Sequence, residues 1–232
     1  MEYVSTSPSL ADQPMDGRDA LLTLTNAQKR YGSSSIFEIE EFSVFRGDRI
    51  ELIGANSSGK STLARVMAGY ARLSSGTWSR SPELHTAPVG FLPQSGGLFR
   101  DLTLIQNVVA IARLLGRKGE VNAHSERVLF DLDLTAYLDR KASTLSGGIQ
   151  RLGAMAALIA ARPFGLILDE PFAGLDESKT NAVASLLNDP HYTFEFILLT
   201  GHGRRNIFEY GRCIRIESGQ IEDCTNLQGN ET

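Results

Sequence analysis

Three short stretches hold residues able to do chemistry on a phosphate. The first, Gly54-Ala55-Asn56-Ser57-Ser58-Gly59-Lys60-Ser61, fits G-x-x-x-x-G-K-[ST] in full. Glycines let the backbone turn its N–H groups inward, where they and the start of the next helix cradle phosphate oxygens. Lys60 is placed to reach β- and γ-phosphates, and the Ser61 hydroxyl to take one Mg²⁺ position. Asn56, Ser57, Ser58 and Thr62 complete the phosphate-binding set. The second stretch, Leu166-Ile167-Leu168-Asp169-Glu170, is an apolar run ending in two carboxylates. Asp169 suits Mg²⁺, directly or through water, and Glu170 is left to act as general base on a water attacking the γ-phosphate. The third, Leu145-Ser146-Gly147-Gly148, offers one hydroxyl and bare N–H groups ahead of a helix whose positive end would face an anion. Read alone, it fits an N-cap serine with a glycine turn equally well.

Such groups need elements that end where the ligand sits. Residues 21–26 and 36–45 read as strands, with a Gly47-Asp48 turn after the second. A strand, the glycine-rich loop and an amphipathic helix follow, and 87–94 closes a short strand at Pro93 and Gln94. Between about Gly97 and Leu145 the pattern turns helical, with apolar residues at helical spacing over 103–115 and 121–132. A small-residue helix comes next. The continuous apolar run 165–168 then marks a buried parallel strand. A helix over 177–188, a strand over 194–202 and a short strand pair through Asp223 complete the chain. Strands alternating with helices predict an α/β fold with a mostly parallel sheet, right-handed crossovers, and ligands at the carboxyl ends of the strands.

Composition narrows the classes. The chain has 232 residues, 42% of them hydrophobic, which suits one large domain or a core domain carrying a subdomain. A net charge of -4 without a basic run argues against a nucleic-acid partner. Cys213 and Cys224 show no metal-ligand spacing and read as reduced thiols. No apolar run reaches the roughly 18 to 20 residues of a membrane helix; 154–161 stops at Arg162-Pro163. Residues 1–19 lack an apolar leader core and read as a disordered tail. The expected division is therefore a tail over 1–19, one nucleotide-binding domain over 20–224 with a helical subdomain at about 97–150, and a short tail over 225–232 with no room for a regulatory domain.

In their order along the chain, loop 54–62, Gln94, LSGG, LILDEP, GLD and His202 resemble the ATP-binding subunits of ABC transporters, over about residues 21–223. The resemblance implies a P-loop NTPase with a mostly parallel core sheet, a small antiparallel β-subdomain and an inserted helical subdomain. It implies an ATPase using ATP and Mg²⁺, paired head to tail as a homodimer or with a related ATPase subunit. In such a pair Ser146, Gly147 and Gly148 of one copy cap the γ-phosphate held by the other's loop. Gln94 would then contact Mg²⁺ and the attacking water, His202 the γ-phosphate, Asp176 the facing subunit, and Tyr31 the adenine ring. Separate transmembrane permease subunits are the implied partners, with the chain peripheral on the cytoplasmic face of the membrane. Leu98, Phe99 and Leu102 fit the groove for a membrane subunit's coupling helix, and equally the subdomain's own core. The stretches around Gln94 and before LSGG lean towards exporters. A soluble ABC-type ATPase of translation or DNA repair is the second reading. Three positions depart from the family pattern: Ile149 stands where Gln is usual, and Leu152 and Ala157 where arginines are common. The short interval from Lys60 to Gln94 also predicts a trimmed β-subdomain.

Overall fold

The computed structural model describes residues 20–203 and 205–225. The tail expected over 1–19 and residues 226–232 lie outside them.

Alternation along the first two strands decides the first layer. In β1 (Ala20–Tyr31) and β2 (Ser34–Phe45), Leu22, Leu24 and Ala27 face Val44, Phe42 and Ile39 in antiparallel register, and all six are buried. Both strands run further than their apolar cores predict, meeting at a tight turn after Tyr31. Next come β3 (Arg49–Ile53), α1 (Lys60–Met67) and β4 (Ser75–Arg80). The last pairs with β1 to give a small antiparallel sheet ordered β2-β1-β4, a subdomain as lean as the sequence interval implies.

The second sheet is the frame of the site. It is built from β3, β5 (Val89–Leu92), β6 (Gly165–Leu168), β7 (Phe196–Gly201), β8 (Arg212–Glu217) and β9 (Gln220–Asp223), in the order β5-β6-β7-β3-β8-β9. All ladders are parallel except β8 with β9. β6 is buried at every position, as expected of a strand covered on both faces. The register aligns Ile53 with Gly201 and Leu168 with Leu199. The phosphate loop, the acid pair and His202 thus leave the sheet at one edge, from three consecutive strands.

Helices α2 (Leu104–Leu114), α3 (Ala123–Asp131) and α4 (Gly147–Ala160) form the inserted subdomain. The first two begin with reciprocal capping boxes, Thr103 with Gln106 and Asn122 with Ser125, which satisfy N–H groups that would otherwise lack partners. Leu104, Val108, Val128, Leu129, Leu152 and Met155 share one buried cluster. Gly153 permits this closeness: a Cβ there would stand 2.7 Å from Leu104 Cδ1. Helix α4, opened by the LSGG stretch, extends past the predicted subdomain limit at 150 and packs against both α2 and β5. Helix α5 (Glu177–Asn188) leads from the acid pair into β7. Cys213 and Cys224 carry buried thiols at the open end of the β8–β9 pair, with the sulfurs 2.6 Å apart. Among the described residues, no helix is long and apolar enough to cross a membrane.

Candidate functional site

The loop between β3 and α1 is shaped to leave its N–H groups open. Gly59, the N-cap of α1, has φ +108° and provides no side-chain cap, so the first turn keeps its donors for a ligand. Ser57 adopts φ +65°, turning the loop crown. Gly54 has no room for a side chain, because a Cβ would run into the Ile216 carbonyl oxygen of β8. Lys60 is buried, and its Nζ donates to the carbonyls of Gly54 and Ala55, each at 2.7 Å. Burial pushes the Lys60 ammonium below its usual pKa, while the nearby carboxylates of Glu170 and Asp169 pull it back up. Thr62 lies half-buried in the first turn of α1, and Asn56 and Ser57 stand exposed on the loop; Ser58 Oγ is buried without a partner.

Asp169 follows the last residue of β6 and is completely buried. Its Oδ1 accepts hydrogen bonds from Ser61 Oγ at 2.9 Å and Thr200 Oγ1 at 2.7 Å. Its Oδ2 has no partner at all. A buried, unmatched carboxylate oxygen is costly unless something positive or protic meets it. Beside a serine hydroxyl, this donor set of hard oxygens fits Mg²⁺, an ion that takes one or two protein oxygens and completes its shell from phosphates and water. Among the described residues, no group of three or more His, Cys, Asp or Glu side chains is arranged to hold a metal ion.

Glu170 is the centre of the arrangement. It sits at φ +50°, a left-handed conformation that an ordinary residue adopts only when held there. Its Oε2 accepts from Gln94 Nε2 at 3.0 Å, and its Oε1 lies 3.3 Å from His202 Nε2. Glutamine, glutamate and histidine therefore stand in a row at the ends of β5, β6 and β7, as the motif order predicts. Two further residues hold Glu170, and no motif in the sequence marks either. Thr200 Oγ1 accepts the Glu170 N–H at 2.9 Å while donating to Asp169, so one hydroxyl fixes both acids. Arg151, buried on α4, donates to the carbonyls of Gln94, Asp169, Glu170 and Pro171 at 2.8, 2.6, 2.5 and 3.3 Å. Burial lowers the Arg151 pKa; the two carboxylates act in the opposite direction. The only sequence signals were a lone polar residue in the apolar run of β7 and a basic residue at a buried helical position.

The remaining predicted residues lie apart from this centre. Ser146 caps α4, its Oγ accepting from Ile149 N at 3.4 Å, and it stands exposed with Gly147. A Cβ on Gly147 would meet nothing within 4 Å, so the backbone there is open to close approach; Gly148 rests near the Gly174 carbonyl. Asp176 is occupied within its own chain, capping α5 through Lys179 N at 2.9 Å and pairing with Lys179 Nζ. Tyr31 is 52% exposed at the end of β1, with Lys29 Nζ 4.6 Å above its ring. It is not in the wall of the open cleft of about 1680 Å³ that Gly54–Ser58, Ile36, His202 and the β8–β9 turn enclose.

Leu98 turns inward and packs on the helical core, so of the proposed groove residues only Phe99, 46% exposed, offers a large apolar surface; Leu102 is half-buried. The buried Asn107 accepts from Phe99 N and donates to the carbonyls of Phe99, Leu102 and Thr103, which fixes this loop. Ile149, Leu152 and Ala157, the departures from the family pattern, all face the apolar core of the subdomain.

The family model described as "ABC transporter" matches residues 38–173. The chain is 32% identical over 205 residues to the ABC transporter ATP-binding protein YbbA of Escherichia coli K12, covering 82% of this chain and 89% of that one. It is 29% identical over 214 residues to the sulfate/thiosulfate import ATP-binding protein CysA of Photorhabdus laumondii, covering 87% of this chain and spanning 59% of the relative's length. Among solved structures, the ATP-binding subunit of an ABC transporter superposes with a TM-score of 0.75 at 25% identity, over 89% of this chain and 90% of the other. A dimeric bacterial ABC transporter cassette gives 0.75 at 22% identity, over 90% of this chain and all of that one, a likeness of fold. A bacterial Atm1-family exporter with ATP bound gives 0.76 at 22% identity, over 90% of this chain and 39% of that one. Shared sequence over most of its length, shared fold, and acids and glutamine meeting where the motif order puts them have one common origin: the chain belongs to the family of ABC transporter ATP-binding subunits.

Proposed function

We propose that the chain hydrolyses ATP at the interface of a head-to-tail pair and so drives separate transmembrane subunits. The observation that carries this reading is Glu170 held between Gln94 and His202, one residue after an acid bonded to the phosphate-loop serine. The loop N–H groups and Lys60 bind the β- and γ-phosphates. Ser61 and Asp169 would hold Mg²⁺, which when bound would supply positive charge to offset that of the phosphates. Glu170 takes a proton from water as that water attacks the γ-phosphorus; the bond to the β–γ bridging oxygen breaks and ADP departs. Gln94 and His202 fix the Glu170 carboxylate for this step. Ser146, Gly147 and Gly148 of the second copy close over the γ-phosphate, their open backbone suiting that contact. Asp176 then exchanges its Lys179 partner for the facing subunit, and Tyr31 moves onto the adenine. Closure and reopening of this interface is the mechanical output.

Membrane coupling passes through the loop that Asn107 holds, with Phe99 as its apolar contact. On this reading the subunit sits against the cytoplasmic face, with residues 20–224 as its nucleotide-binding domain and the helical subdomain as the docking element. The exporter leaning of the sequence finds no support in the named relatives: CysA proteins of several bacteria are sulfate/thiosulfate importers, so import is the direction we favour. A soluble role in translation or DNA repair draws support from neither the relatives' names nor the charge of the chain. Phosphate release by the purified chain with Mg²⁺ and ATP tests the reading. Activity lost in Lys60→Ala supports it, and equal release by both proteins refutes it.

A further inference from the structure

Arg151 lies on α4, five residues beyond Ser146, and its side chain reaches two separate pieces of backbone. One is the carbonyl of Gln94, in the loop after β5; the other is the stretch after β6, through the carbonyls of Asp169, Glu170 and Pro171. Every one of these acceptors is a neutral carbonyl, so a buried cation is held without a contacting acid, and its pKa is depressed by burial. Such a charge is expensive compared with an apolar side chain of similar length, and beyond Arg151 α4 carries only glycine and apolar residues. A planar guanidinium is the one side chain whose fixed fork can bridge several carbonyls at once. The departures Ile149 and Leu152 bracket this residue and both face the core, so position 151 is where the polar side of α4 meets the catalytic loops.

We propose that Arg151 is a positioning residue that couples the two nucleotide sites of the head-to-tail pair, a proposal that rests on the ATP-hydrolysing reading above. The N-terminus of α4 meets the γ-phosphate bound by the facing copy, whereas Arg151 ties the same helix to Gln94 and Glu170 of its own copy. A helix is stiff over one and a half turns, so a shift at Ser146 is carried to Arg151 and through it to both loops. Each site is thereby set for hydrolysis by the phosphate in the opposite site. Arg151 touches no substrate; it acts through Glu170 and Gln94.

The test compares the parent with Arg151→Met, which keeps the stem and removes the charge, and Arg151→Lys, which keeps the charge and removes the fork. ATP affinity is measured by direct titration, turnover by phosphate release, and loop order by amide hydrogen exchange. The expected result is a turnover loss of about tenfold or more in Arg151→Met, since misplacing a catalytic group by about 1 Å costs rates of that order or greater. ATP affinity stays within about a factor of two, the Hill coefficient for ATP falls towards one, and Arg151→Lys recovers part of the loss. In Arg151→Lys, amides of 94–97 and 170–173 exchange faster together while those of 54–60 do not change. Lower melting temperature with parental turnover and cooperativity assigns Arg151 to stability alone and overturns the proposal. Unchanged exchange in both loops overturns it as well, and that readout stands even if Arg151→Met does not fold. A parent that binds no ATP refutes the hydrolytic reading, and the coupling falls with it; where the parent binds ATP, the variants test Arg151 alone.

Discussion

Ser61, in the first turn of α1, and Asp169, next after β6, lie 108 positions apart in the chain and share a hydrogen bond of 2.9 Å. It leaves the second carboxylate oxygen of Asp169 buried and unmatched, aimed at no group of the protein. In Asp169→Asn the amide keeps the volume but loses the charge that would hold the cation. Phosphate release should fall by about a hundredfold or more, with the Mg²⁺ concentration for half-activity raised, while the melting temperature changes little or rises. Unaltered Mg²⁺ dependence would remove Asp169 from the metal role.

Thr200 links the two acids through one hydroxyl. Thr200→Val is nearly isosteric but leaves the Glu170 N–H without its acceptor. A buried donor so orphaned costs about 1–3 kcal/mol, which thermal and urea melts would register. Turnover should drop along with stability, since the left-handed Glu170 then loses one of its restraints.

His124 provides a pH signature independent of catalysis. It packs on Tyr192 with ring centroids 5.5 Å apart and its Nε2 lies 3.2 Å from the Ile159 carbonyl. Burial, chiefly, holds its pKa below the usual 6.5, with Arg162 adding to the depression and the Ile159 carbonyl opposing it. The folded chain therefore binds this proton less readily than the unfolded chain, so the stability is present above pH 6.5 and lost as pH falls through the folded-state value. The melting temperature should decline from pH 7 to pH 5, and His124→Gln should flatten part of that slope. Identical slopes in the two proteins would remove His124 as the cause.

Gly153 sets how closely α2 and α4 approach. Gly153→Val should overpack the Leu104 contact and destabilise the fold by about 1–3 kcal/mol, beyond any change in helix propensity. Chemical denaturation of the variant measures this directly, and parental stability would show that the helices separate without strain.

The framework of the site was legible in the sequence because its residues terminate strands with strong signals. The buried run of β6 ends in the acid pair, and Gly59-Lys60 opens a helix after β3. β4 was not legible: Ser75–Arg80 offers one half-buried Trp and no alternation, and only pairing with β1 makes it a strand. Thr200 and Arg151 escaped for a related reason. Their partners lie 31 and 57 positions away, for Asp169 and Gln94 respectively, and no local pattern announces such a contact. Leu98 shows the limit of reading exposure from a loop, since the Asn107 hydrogen bonds shape that loop and Leu98 packs into the core.

The most direct test of hydrolysis at a closed pair is the molecular mass of Glu170→Gln by light scattering, with and without Mg²⁺ and ATP, beside its phosphate release. Glutamine keeps the size of the side chain but cannot take the proton. The mass should double on ATP addition with no phosphate released, the closed pair arrested before chemistry. A variant that releases phosphate at the parental rate, or stays monomeric at saturating ATP, would contradict this mechanism.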